Sequence, residues 1–173
     1  APADRRLYAI RDITATVESV PLITASILAK KLAEGLDGLV MDVKVGTGAF
    51  LPSVGAAREL ATSLVEVAEG AGLPCRALLT DMNQCLGTTA GNALEVGEAV
   101  AMLKGEPVDW RFEEVTVALA ASALVLAGLQ HDEERAAERV QAQLRSGAAA
   151  ERFAAMVKAS GGPGDLVDAP ERH

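Results

Sequence analysis

Aromatic side chains are scarce: Tyr8, Phe50, Trp110, Phe112 and Phe153 are the only ones in 173 residues. A core with so few rings must be filled by Ala, Val and Leu, which suits helices and buried parallel strands. Cysteine is nearly absent. Cys75 and Cys85 form neither a metal-binding pattern nor a disulfide framework, so a reduced, cytoplasmic protein is the default expectation. The two histidines, His131 and His173, sit in a charged stretch and at the last position. No apolar run reaches membrane-spanning length and no signal-peptide pattern is present. Positive charge is also in deficit. With Lys+Arg 16 against Asp+Glu 24 the net charge is -8, which argues against nucleic acid or an anionic membrane as the main partner. A local backbone nest or helix N-terminus can still bind phosphate in an acidic protein. What is present is apolar: 50% of residues are hydrophobic, and the chain is long enough for one ordinary domain with its own core.

Read in order, residues 1–6 are a short polar lead, and 7–13 alternate loosely in a way that suits extended chain. Thr14, Thr16 and Ser19 offer caps for a helix with Pro21 in its first turn, running to about Ala33 and stopped at Gly35. Residues 38–45, GLVMDVKV, read as a buried strand. Asp42 and Lys44 share one face near its C-terminal end. That is where ligands sit in open α/β sheets, and equally where a plain ion pair would sit. Gly46-Thr47-Gly48 lacks the remainder of a dinucleotide or P-loop pattern and reads as a tight turn. Ser53 caps a helix reaching about Gly70, and 75–80 form a second strand, giving a βαβ unit with a parallel pair. A loop over 81–90 precedes a helix capped by Asn92. Asp109 to about Leu126 reads as a strongly apolar, buried helix, 131–145 as a solvated one, 148–159 as another, and 161–173 as loose.

The stretch that organises the chain is Leu7 to Lys31. Residues at i and i+4 of a helix share a face, so Ile23, Ser26, Ile27 and Lys30 form one stripe of two apolar and two polar side chains. With Arg11 nearby, a guanidinium, a hydroxyl and an ammonium beside apolar walls can grip a small planar polar molecule. The plainer alternative is a solvated face on which Lys30 pairs with Glu34 and Arg11 with a nearby acid.

The run LYAIRDITATVESVPLITASILAKKLAEGLDGLVMDVKVGTGAF, continued by ALLTDMNQCLGTTAGNALEVGEAV, resembles the central segment of the thymidine phosphorylase and pyrimidine-nucleoside phosphorylase family. The likeness covers most of the chain and fades after about Leu129. It implies an α/β fold: a parallel βαβ sheet flanked by helices and preceded by a helical-domain segment, of the nucleoside phosphorylase or class II phosphoribosyltransferase kind. It further implies that residues 1–35 belong to a small all-helical domain and 36–173 to a larger α/β domain, with substrates in the cleft between them. The implied reaction is phosphorolysis of a pyrimidine nucleoside by phosphate, in a homodimer.

By position in the motif, Arg11, Ser26 and Lys30 match the family residues that hold the pyrimidine ring, with Arg11 and Lys30 carrying the chemistry. Tyr8, Ile23, Ile27 and Phe50 match pocket walls, and Asp12 matches an acid that would orient Arg11. Leu86, Thr89 and Glu98 match a region where some members bind a structural cation such as potassium or calcium. The stretch with which the family holds phosphate has no counterpart here, which suggests a piece of a longer protein, inactive alone. Two other readings stay open: an anthranilate phosphoribosyltransferase-like enzyme, whose motifs are not visible, and a non-catalytic module using 109–126 to bind a partner.

Overall fold

Pro2 in the first turn, Asp4 beside it and Arg11 in the last turn are the residues that start and end a helix in agreement with its dipole. The computed structural model, which describes residues 1–173, accordingly begins with α1 (Pro2–Ile13). This corrects the polar lead and extended segment expected there. The alternation in 7–13 was too short to outweigh the start signals ahead of it. Leu7, Ile10 and Ile13, spaced by three along α1, remain exposed.

α2 (Val20–Ala33) follows with Pro21 in its first turn. Ser19 stands at the N-cap but its side chain makes no capping bond. Glu34 closes the helix, and Gly35 takes the left-handed conformation at φ +68°. β1 (Leu39–Val45) and β2 (Cys75–Asp81) pair in parallel, from Leu39 opposite Cys75 to Val45 opposite Asp81. Between them runs α3 (Val54–Gly70), capped by Ser53, whose Oγ accepts from Ala56 N at 3.2 Å. Its core face, Ala57, Leu60, Ala61, Leu64 and Ala68, packs with Leu28, Val43, Leu73 and Cys75. Thr24 Oγ1 and Ser63 Oγ lie 2.9 Å apart, so a hydroxyl pair joins α2 to α3 within that contact. Burial pushes the Cys75 thiol up from its ordinary pKa, which leaves it an inert core group.

The turn after β1 is tied to the end of β2. Met82 N donates to Val45 O at 2.7 Å, Gly48 N to Met82 O at 2.9 Å, and Thr47 N to Asn83 Oδ1 at 3.0 Å. Gly46 sits at φ +136°, and a Cβ there would lie 2.8 Å from both Asn83 N and Met82 C. Both are backbone atoms that cannot yield. Gly46→Ala is therefore expected to destabilise by about 1–3 kcal/mol. Gly55→Ala, in helix α3 with nothing within 4 Å of the new methyl, should be neutral or slightly stabilising. Parallel thermal melts check the pair; equal losses would show that the turn does not hold Gly46.

The chain divides into two compact units, Ala1–Asn83 and Gln84–His173. The second is helical: α4 (Asn92–Leu103), α5 (Trp110–Leu126), α6 (Glu133–Arg145), α7 (Ala148–Ala159) and a short 3-10 turn at Pro170–Arg172. Three expectations are corrected here. Asn92 is the first helical residue, not the cap; Gly91 holds that place, and its N–H is taken by Glu95 Oε1 at 2.9 Å. α5 is only partly buried, through Val117, Ala121 and Ser122, while Trp110 is exposed. The tail is not loose: His173 Nε2 lies 2.8 Å from Asp165 Oδ1, and Ala169 is buried. α6 carries its charge outward, as expected, over buried Ala136 and Leu144.

Candidate functional site

A cavity of about 430 Å³ opens beside β1 in the first unit. α1 contributes Tyr8 and Arg11, α2 contributes Ile23, Ser26 and Ile27, and the chain after β1 contributes Phe50. The remaining walls include Val17, Met41, Leu51, Leu60 and Leu64, so the lining is mostly apolar with a few polar groups. This is the usual composition of a small-molecule site. The helical stripe of Ile23, Ser26 and Ile27 supplies one wall because α2 turns its other side, Thr24 and Leu28, into the core.

Arg11 is 8% exposed and is held by backbone, not by an acid. Its Nη2 donates to Val17 O at 2.6 Å and its Nη1 to Leu22 O at 3.3 Å, and the guanidinium lies 5.0 Å from the Tyr8 ring centre. Its Nε is buried with no acceptor. A buried unpaired donor costs about 1–3 kcal/mol, and a ligand oxygen is one remedy. Asp12 does not orient Arg11. Neighbours in a helix point to different sides, and the Asp12 side chain is exposed and makes no bond. The orienting role falls to the Val17 and Leu22 carbonyls and to Tyr8.

Lys30 does not line the cavity. It opens on an adjoining groove with Asp4, Tyr8 and Asp12. Nor does it pair with Glu34, which takes Lys31 at 3.3 Å instead. Its partner is Asp4, at 2.6 Å to Oδ2, while Asp4 Oδ1 accepts the Ser26 hydroxyl at 2.8 Å. Lys30, then Ser26, hold the Asp4 carboxyl below its ordinary pKa. Asp4 is the residue that sequence reasoning missed. Pro2 followed by an acid was the signal for a helix start, and only that helix brings Asp4 over α2. Asp42 and Lys44 also reach the cavity wall, 2.7 Å apart, and the Thr80 hydroxyl donates to Asp42.

In the second unit, Glu98 clasps the loop before α4. Its Oε1 accepts from Thr88 N and Thr88 Oγ1, both at 2.8 Å, and its Oε2 from Thr89 Oγ1 at 2.7 Å. Of the residues matched to a cation region, Glu98 is thus bonded to Thr88 and to Thr89, the latter itself one of them. The Thr88 N–H, then the Thr89 hydroxyl, hold the Glu98 carboxyl below its ordinary 4.5. A depressed native pKa means the clasp contributes fully above 4.5 and is lost as pH falls through the native value. The melting-temperature gap between wild type and Glu98→Gln is expected to be widest near neutrality and to close in acid. A gap that is constant with pH would show the carboxylate charge to be irrelevant.

No helix is long and apolar enough to cross a membrane. A family model described as "Glycosyl transferase family, a/b domain" matches residues 1–150. Over all 173 residues the chain is 62% identical to a protein of Burkholderia cenocepacia and 61% identical to one of Burkholderia lata, each named thymidine phosphorylase. The chain spans 40% of the length of these curated relatives.

Proposed function

Because the chain belongs to the glycosyl transferase family through its a/b domain, we propose that its cavity holds the base of a pyrimidine nucleoside undergoing phosphorolysis. In that reaction thymidine and phosphate give thymine and 2-deoxyribose 1-phosphate: a phosphate oxygen bonds to the anomeric carbon as the bond from that carbon to the base nitrogen breaks. The electron pair goes to the base, whose carbonyls gain negative charge. Arg11 beside the base and Lys30 at the rim would favour that charge, which is larger in the transition state than in the bound nucleoside. The observation that carries this reading is the convergence of Tyr8, Arg11, Ile23, Ser26, Ile27 and Phe50 on one cavity of about 430 Å³.

In this reading residues 1–35 belong to a small helical domain and 36–173 to a large α/β domain of a homodimer. In the same reading, phosphate is held by a stretch that this chain does not span. The test is phosphate-dependent thymine release from thymidine, with uridine alongside and a control lacking phosphate. It is run on the chain alone and on a protein extended to the relatives' length. Turnover by the extended protein only is the expected result. Turnover by the chain alone would keep the reaction and overturn the placement of the phosphate site. No turnover by either would overturn the reaction.

A further inference from the structure

Asp4 does not line the cavity, yet its two oxygens take up the two polar groups of the α2 stripe, Ser26 and Lys30. We propose that Asp4 is a positioning residue that fixes the hydrogen-bond polarity of Ser26 and Lys30, so that the site takes a ring edge bearing N–H next to C=O and rejects the reverse edge. The proposal rests on the reading of the cavity as a pyrimidine-base site and adds to it the group that sets its selectivity.

A serine hydroxyl has one proton and two lone pairs. An ionised carboxylate only accepts, so the Ser26 proton is committed to Asp4 Oδ1 at 2.8 Å. Lys30 Nζ lies 3.2 Å from Ser26 Oγ and occupies one lone pair. What Ser26 can still offer is acceptor capacity only: one lone pair while Lys30 stays on it, two if that proton turns away. The Lys30 ammonium has three protons. Asp4 Oδ2 at 2.6 Å and Ser26 O at 2.5 Å hold it closely, and the contact to Ser26 Oγ is the longest of the three. That third proton is the one free to turn to a ligand carbonyl. A thymine or uracil edge, with C=O facing Lys30 and the neighbouring N–H facing Ser26, satisfies both. Cytosine joined to a sugar at N1 has a lone pair in place of the ring N–H, so lone pair meets lone pair at Ser26 whichever neighbour faces Lys30, and with its amino group turned there N–H also meets ammonium. Built-in mismatch of this kind discriminates more strongly than lost contact. Removing the Asp4 charge frees the Ser26 proton to point the other way, and the distinction weakens.

The test is calorimetric binding of 1-methylthymine and of 1-methylcytosine, in which N1 is blocked as it is in a nucleoside, to the chain carrying Asp4→Asn, Asp4→Glu or neither; thymine and cytosine below mean these two. The wild-type chain is expected to prefer thymine. Asp4→Asn should lose about ten-fold or more in thymine affinity and bring the two bases within a few-fold of each other, without a matching change in melting temperature. Asp4→Glu, which keeps the charge, should recover part of the preference. If Asp4→Asn does not fold, Asp4→Ser carries the same test in the first turn of α1. Thymine binding by the wild type with an unchanged thymine-to-cytosine ratio in the variant would overturn the role of Asp4 alone. No thymine binding by the wild type would overturn the base-site reading and this inference with it.

Discussion

Leu64→Ala is expected to remove about 3–4 kcal/mol of stability and to lower the melting temperature by roughly 10 °C. Leu64 is 0% exposed on the face of α3 that meets Leu28, Val43 and Cys75. Its buried neighbours are Ala, Val, Leu and Cys75, with no ring among them, and the two rings on the cavity wall, Tyr8 and Phe50, are about half exposed and lie outside that core. Alanine neighbours on the same helix, Ala57, Ala61 and Ala68, are too small to fill it. The same side chain lines the cavity, so truncation should also enlarge that cavity. A loss under about 1 kcal/mol in denaturant titration would mean the site collapses to fill the gap.

Lys30→Ala, in a protein of the relatives' length, is expected to lower turnover of thymidine by about 10²–10³-fold, the usual effect of removing one charged donor from a developing oxyanion. Stability should hardly change. Lys30 and Asp4 keep 38% and 27% of their side-chain surface, and pairs this exposed contribute about 0–1 kcal/mol. Asp4, once unpaired, is open to water. An unchanged rate with an unchanged melting temperature would remove Lys30 from the chemistry. A lost rate with a collapsed melting temperature would instead make it a structural residue.

The βαβ unit was legible because three local signals agreed. An eight-residue Val- and Leu-rich run marked β1, the six residues 75–80 marked β2, Ser53 marked the start of α3, and a 3.6 period marked its core face. The α2 stripe was legible for the same reason: spacing in a helix fixes which side chains are neighbours. Contacts between separate elements were not. Nothing in the spacing of Asp4 and Lys30, twenty-six residues apart, announces a pair at 2.6 Å. The pairing depends on how α1 turns back over α2, which loop 14–19 and the Arg11 bonds to Val17 and Leu22 determine. α5 shows the opposite failure. Its apolar composition suggested a buried helix, but burial depends on how many partners surround a helix, and α6 is the main one it has.

The hydroxyl pair of Thr24 and Ser63 also bears on motion. α2 carries the cavity-lining Ile23, Ser26 and Ile27 on one side and Leu28 on the other, 1% exposed and packed with α3. Any hinge that swung α2 away from α3 would wet Leu28 at a cost of about 1.5–3 kcal/mol. On that count alone, the swung-out form holds roughly a tenth of the molecules or fewer. The amide protons of α2 should then exchange with solvent through rare openings shared with α3, while those of α1, lying outside the contact, exchange on their own schedule.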